Sequence, residues 1–423
     1  MRGAAITPVG RGFPFCTTAI FSEGATGLGV ELNEEVRRKS LAPDESMFQT
    51  QQTPMKRRER VLAAVGRRPT DVTPVGFKAT DDVLARLRQR FDVSDLRGLL
   101  NALPVDTYGA FNNCLYGIYP RYVGGPARVL YPDCRADGTW DTIYGYQRRW
   151  VAAAGGRTDE VISHPLADAA GAADVEKHEW PQADWFDYAT LAQECRDVGD
   201  YAVIFNLGGL GHAANLLGFE RMLTDMLADP PVIEACFERL TAFYVDFLDR
   251  TLRAAAGGID IVVVQDDFGT QQGPLMSLET YRRFYQPRHR QMFEVAHRHG
   301  AKAMMHSCGA VFDFIPDFIA IGADILDPIQ TTAAGMAPAR LRREYGADLC
   351  FHGGIDTQGV LVSGSPGDVS RHIDSLLSGF AGTDGFILAP SHYIQADVPL
   401  ENVLAMFDHI AGSRDRSGAR GYP

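Results

Sequence analysis

The sequence predicts a single-domain (β/α)8 barrel, on three observations. Short apolar strands alternate with helical patterns over most of the chain, which implies a parallel sheet. The strands recur roughly every 25–50 residues, a rhythm that suits a closed barrel. The residues following them are carboxylates, imidazoles, thiols and amides, as on the rim where such a barrel gathers its site. An open doubly wound sheet is the alternative, but no strand leads into a glycine-rich dinucleotide fingerprint.

Residues 1–54 are rich in Gly, Thr and Ser, end in Gln49-Thr50-Gln51-Gln52-Thr53-Pro54 and carry no hydrophobic period. A poorly ordered N-terminal extension is expected there, with the barrel occupying 55–423. Met55 to Val65 reads as the first true helix, and Val72–Phe77 as a strand. Asp81–Phe91 is helical, with Val83, Leu84 and Leu87 on one face. Residues 105–150, richer in Tyr, Gly and Thr, read as a hairpin insertion. Tyr201–Phe205 is a strand, Phe219–Ala228 a helix and Pro231–Ala255 a longer one. The remaining strands are Ile259–Val264, Ala301–Met305, Ala323–Leu326, Leu349–Phe351 and Gly385–Leu388.

The chain has 423 residues, 45% of them hydrophobic, and a net charge of −12. That balance repels phosphate backbones and argues against nucleic acid. No run approaches the roughly 20 apolar residues of a membrane helix. Seven cysteines at irregular spacing (16, 114, 134, 195, 236, 308 and 350) speak against a disulfide framework, and a cytoplasmic location is the simpler expectation.

The chemistry sits at the strand ends. Phe205 leads into Asn206, Val264 into Gln265-Asp266-Asp267 and Met305 into His306-Ser307-Cys308. Leu326 leads towards Gln330, Phe351 into His352-Gly353-Gly354-Ile355-Asp356, and Leu388 into Ala389-Pro390-Ser391-His392. His306 and Cys308, two apart at a strand end, point to the same side. An imidazole and a thiolate there suit zinc, which takes three protein ligands in catalytic sites; His392 is the expected third. Adjacent residues of an extended chain point in opposite directions, so Asp266 and Asp267 divide one structural and one active role, and Asp266 is taken as the active one. Asp266 and His392 are thus the expected catalytic pair. Asn206, Gln265, Asp267, Gln330 and Asp356 are the expected substrate contacts. Cys350, inside a strand, reads as a buried apolar cysteine.

These segments together resemble the uroporphyrinogen decarboxylase superfamily. The matching pieces are Gln265 to Gln271, Met276-Ser277 to Pro287-Arg288, His306-Ser307-Cys308-Gly309, Gly353 to Gln358, and Pro390-Ser391-His392 with Val398 to Asn402; Arg58 to Ala64 is similar to the usual start. The likeness covers about residues 56–412 and implies a (β/α)8 barrel. Decarboxylases of this kind carry an arginine-rich loop for substrate carboxylates; here the corresponding stretch, Val75 to Asp81, has no arginine. The methyltransferase branch binds zinc through a His-x-Cys pair and a later cysteine, and works with a separate corrinoid protein. His306 and Cys308 match the pair, and His392 stands where the cysteine would be.

The resemblance therefore implies a zinc-dependent methyltransferase. It would move a methyl group between a small ether- or thiol-type substrate and a corrinoid (cobalamin) carried on a partner protein. The alternatives are a cofactor-free decarboxylase of a small or cyclic acid, and a non-catalytic binding protein on the same barrel. The expected partners are a corrinoid protein and a small molecule, with a homodimer admitted and no nucleic acid or membrane.

Overall fold

The computed structural model describes residues 54–109, 117–131, 133–153, 156–228 and 231–416. Of the expected extension over 1–54, residues 1–53, together with Cys114, lie outside the described residues.

Seven strands form one parallel sheet in the order Thr107–Tyr108, Ala202–Gly208, Ile261–Gln265, Lys302–His306, Ile325–Ile329, Cys350–Ile355 and Phe386–Pro390. Residues 74–80 close it. Val75 and Ala79 pair in parallel with Leu388 and Ile394, and Val75 O accepts the Asp106 N–H at 2.8 Å. The result is an eight-membered ring with helices outside, the predicted (β/α)8 architecture.

Two readings need correction. Thr107–Tyr108 belongs to the barrel and not to the insertion; two residues are too short to show a period. The insertion itself is a three-stranded antiparallel sheet, Thr139–Asp141, Gln147–Ala153 and Gly156–Val161, reaching beyond residue 150. A tyrosine anchors each side of this connection. Tyr146 Oη lies 2.8 Å from His212 Nδ1, and the Tyr131 hydroxyl donates to Asp81 Oδ2 at 2.6 Å. Both anchors sit on helices that follow barrel strands, so the connection borders the mouth.

Strand periodicity sorts the core. Ala202, Ile204, Ile261, Val263, Met304, Ile325, Cys350 and Ile387 point inward and pack with Val61, Ala64 and Val65 of the helix Arg57–Val65, which plugs the N-terminal end. Their neighbours Val203, Phe205, Val262, Val264, Met305, Leu326, Phe351 and Leu388 point outward into the helical layer. There the helix Pro231–Ala255 presents Ile233, Phe237, Leu240, Tyr244, Phe247 and Leu248 at three- and four-residue spacing. The same alternation carried one step towards the strand ends turns Asn206, Gln265, His306, Asp327, His352 and Ala389 inward. A polar layer thus lies directly on the apolar one.

Cys195, Cys236, Cys308 and Cys350 are free thiols. No helix among the described residues is long and apolar enough to cross a membrane.

Candidate functional site

His306 ends its strand with its ring buried. Its Nδ1 donates to Asp327 Oδ2 on the neighbouring strand, where the two residues are in register. That bond turns Nε2 towards the mouth, 3.5 Å from Cys308 Sγ and 3.9 Å from Asp267 Oδ1. The donor atoms of Asp267, His306 and Cys308 all lie within 4.8 Å of one another. A tetrahedral zinc with bonds of about 2.0–2.3 Å spaces its ligand atoms roughly 3.3–3.8 Å apart. The nitrogen, sulfur and oxygen donors present suit such an ion in kind, and the 3.5 Å and 3.9 Å separations from His306 Nε2 lie close to that spacing.

Two loops hold this group together by backbone. Cys308 N–H donates to Asp267 Oδ1 at 2.8 Å, and Phe268 N–H donates to Ser307 Oγ at 2.9 Å. Gly269 and Gly309 then meet face to face. Gly309 has φ +84°, and a Cβ on it would sit 2.6 Å from the Gly269 carbonyl carbon. Gly309→Ala is therefore expected to destabilise the protein by about 1–3 kcal/mol, read as a lower urea midpoint. An unchanged midpoint would mean that the loops do not interlock.

The paired aspartates take the opposite assignment from the one expected. The Asp266 side chain is 2% exposed and accepts N–H bonds from Leu210 and Gly211 at 3.0 and 2.6 Å, with His289 Nε2 at 2.8 Å. It points outward and anchors the loop after Ala202–Gly208. The Asp267 side chain is 55% exposed and faces the mouth. Period-two alternation requires one of each; the sequence does not say which, because the strand runs one residue beyond its last apolar position.

His392 is not in the donor group. Its strand lies three places round the ring from that of His306, whereas Gln265, two residues before Asp267, is in direct register with His306. The His392 ring keeps solvent access yet is deeply surrounded, and loss of hydration, with Lys78 and His306 nearby, pushes its pKa down to about 4. It is a neutral imidazole at pH 7. Burial likewise raises the Cys308 thiol well above its usual value, and Asp267 adds to this while Lys78 opposes it.

The other expected contacts divide. Asn206 and Gln265 belong to the inward polar layer, and Asn206 Nδ2 donates to Gln265 Oε1 at 3.3 Å. Gln330 is a brace: its Oε1 accepts Gly309 N–H at 2.9 Å and its Nε2 donates to Gln271 Oε1 at 2.9 Å. Asp356 accepts the N–H groups of Gln358, Gly359 and Val360 and so caps the turn after its strand. Three residues without an assigned role in the sequence reading join His306 instead. Asp327, fully buried, also accepts from His352 Nδ1 and from Lys78 Nζ at 3.2 Å. Burial works to raise the Asp327 carboxyl, but Lys78, His352 and His306 together hold it well below the carboxylate range. The signal for all three was a polar residue at an inward position of an apolar strand.

A model of the uroporphyrinogen decarboxylase (URO-D) family matches residues 198–412. No curated protein matches the chain in sequence. The solved structure of a methyltransferase from Methanosarcina mazei aligns with TM-score 0.60 at 17% identity, over 86% of this chain and 99% of that one. A dihydropteroate synthase from Anaplasma phagocytophilum, with 6-hydroxymethylpterin-monophosphate bound, aligns at 12% identity and TM-score 0.31 over 43% of this chain and 70% of that one.

Proposed function

We propose that this chain, which belongs to the uroporphyrinogen decarboxylase family, is a methyltransferase that moves a methyl group between a small thiol- or ether-type substrate and a corrinoid carried on a separate protein. The observation that carries the reading is the Asp267–His306–Cys308 donor group at the barrel mouth, held within 4.8 Å. The likeness in fold to a methyltransferase agrees with it.

Asp267 Oδ1, His306 Nε2 and Cys308 Sγ would hold a zinc ion. Bound there, zinc supplies Lewis acidity that favours the thiolate of a methyl acceptor or polarises the oxygen of a methyl ether. The rest falls to this chain's own groups. Asp327 keeps the proton of His306 on Nδ1, so that Nε2 presents a lone pair. His392, across the mouth and neutral, accepts a hydrogen bond from the substrate. Asn206 and Gln265 offer amide contacts on the adjoining wall. The partner would dock over the rim, and its docking is expected to weaken with salt where charge steers it.

The test uses the purified full chain, reconstituted with zinc, with free methylcobalamin and a panel of thiols. The expected result is about one zinc per chain, and methyl transfer to a thiol seen as loss of the methyl–cobalt absorbance. A chain that stays metal-free after reconstitution, and releases carbon dioxide from a carboxylic acid, would sink this reading and bring the decarboxylase forward.

A further inference from the structure

Behind the donor group lies a buried hub. Asp327 uses both carboxylate oxygens: Oδ2 accepts from His306 Nδ1 and Oδ1 from His352 Nδ1, while Lys78 Nζ lies 3.2 and 3.3 Å from the two. The four side chains come from residues 74–80 and from three consecutive strands, and Lys78 reaches across the barrel from the side opposite His306. Each is at most about one-twentieth exposed at its side chain. A carboxylate removed from water is stable only when charge and hydrogen bonds are both supplied.

The hydrogen bonds place the protons. Each imidazole turns its Nδ1 to a different oxygen of Asp327. His352 Nε2 is buried and has no hydrogen-bond partner among the described residues. Gly76 lies against it, and a Cβ there would be 2.4 Å from that nitrogen. A proton on Nε2 would be a buried donor without an acceptor, so His352 carries its proton on Nδ1 and spends it on Oδ1. That leaves Oδ2 to His306, whose own proton is thereby drawn to Nδ1.

We propose that Lys78 and His352 are positioning residues for the metal centre: acting through Asp327, they hold His306 in the tautomer and ring orientation that aims the Nε2 lone pair at Asp267 and Cys308. This rests on the metal-holding role given to those three residues above. Lys78 holds the Asp327 carboxylate in place across the barrel, and His352 occupies the oxygen that His306 would otherwise share. Neither touches the ion.

The experiment measures zinc affinity by competition with a chromophoric chelator, for wild type, Lys78→Met, His352→Leu and His352→Asn, with folding checked by circular dichroism. Lys78→Met and His352→Leu are each expected to weaken zinc binding by about 10–100-fold. His352→Asn keeps an N–H donor near the Nδ1 position and is expected to stay within about threefold of wild type. The cobalt(II)-substituted forms should show the same order, as a changed ligand-field spectrum in the two weakened variants only. Folded variants that all bind zinc within about twofold of wild type overturn the inference while leaving the donor group standing. So does an asparagine variant as weak as the leucine one, because packing and not the donated proton would then be at issue. If Lys78→Met does not fold, the two His352 variants decide. A wild-type chain that binds no zinc overturns both readings at once.

Discussion

Cys308→Ser is expected to drop zinc content from about one per chain to below roughly a tenth, and to abolish methyl transfer, in a protein that still folds. A thiolate is the soft, strongly binding anion of the proposed set, and a serine hydroxyl does not ionise to replace it. The Cys308 side chain is half-exposed at the mouth and fills no core space, so the barrel loses little by the change. Cys350→Ser is the matched control. Cys350 is fully buried in the inward apolar layer, where burial raises its thiol far above the usual range. That variant should keep its zinc and lose about 1 kcal/mol or more of stability, from a buried hydroxyl. Elemental analysis after reconstitution and a urea titration read the two effects separately. Full zinc occupancy in Cys308→Ser would remove the cysteine from the site.

Asp106→Ala is expected to cost about 3–5 kcal/mol, the largest stability loss of any single change discussed. Asp106 lies where the ring is thinnest, between residues 74–80 and the strand Ala202–Gly208. Its backbone N–H donates to Val75 O and its own carbonyl accepts from Ala202 N–H at 3.0 Å. Its side chain, fully buried, takes Val75 N–H at 2.8 Å, Arg60 Nη1 at 2.5 Å and Arg414 Nη2 at 2.5 Å. One carboxylate thus joins the first helix, the closing segment and the C-terminal helix Leu400–Arg416. Burial works to lower the pKa of Arg60, but hydrogen bonding and charge from Asp71 and Asp106 raise it beyond its usual value. Removing Asp106 leaves two buried guanidiniums short of their counter-charge. Asp106→Asn, which keeps the shape and loses the charge, should fall between wild type and alanine in the urea midpoint. An alanine variant within about 1 kcal/mol of wild type would show that the ladder closes without this side chain.

Several elements were legible before any coordinates. The helices Asp81–Phe91, Phe219–Ala228 and Pro231–Ala255 fall where their apolar spacing puts them, because that spacing is a local property of the chain. Six of the sheet strands were visible as apolar runs, and each extends by one to four residues towards its C-terminal end. In five of the six the first extra residue is polar (Asn206, Gln265, His306, Asp327 and His352), and a polar residue facing the mouth breaks the pattern by which a strand is recognised. That is why Asp327 and His352 read as loop positions and proved to be strand positions.

What the sequence determined by itself is what runs along one strand. The two-residue spacing of His306 and Cys308 places imidazole and thiol on one side whatever surrounds them, and the alternation at Asp266 and Asp267 demands one inward and one outward carboxylate. What only the tertiary structure decided is what lies between strands. Parallel pairing sets the Gln265 strand in register beside His306 and leaves His392 three strands away, so Asp267 completes the donor group. The same closure brings Lys78 across the barrel to Asp327, a contact spanning 249 residues of chain. Spacing along one strand is set by backbone geometry, which the sequence carries with it; adjacency around the ring is set by the order in which strands pair, and that order exists only once the barrel has closed.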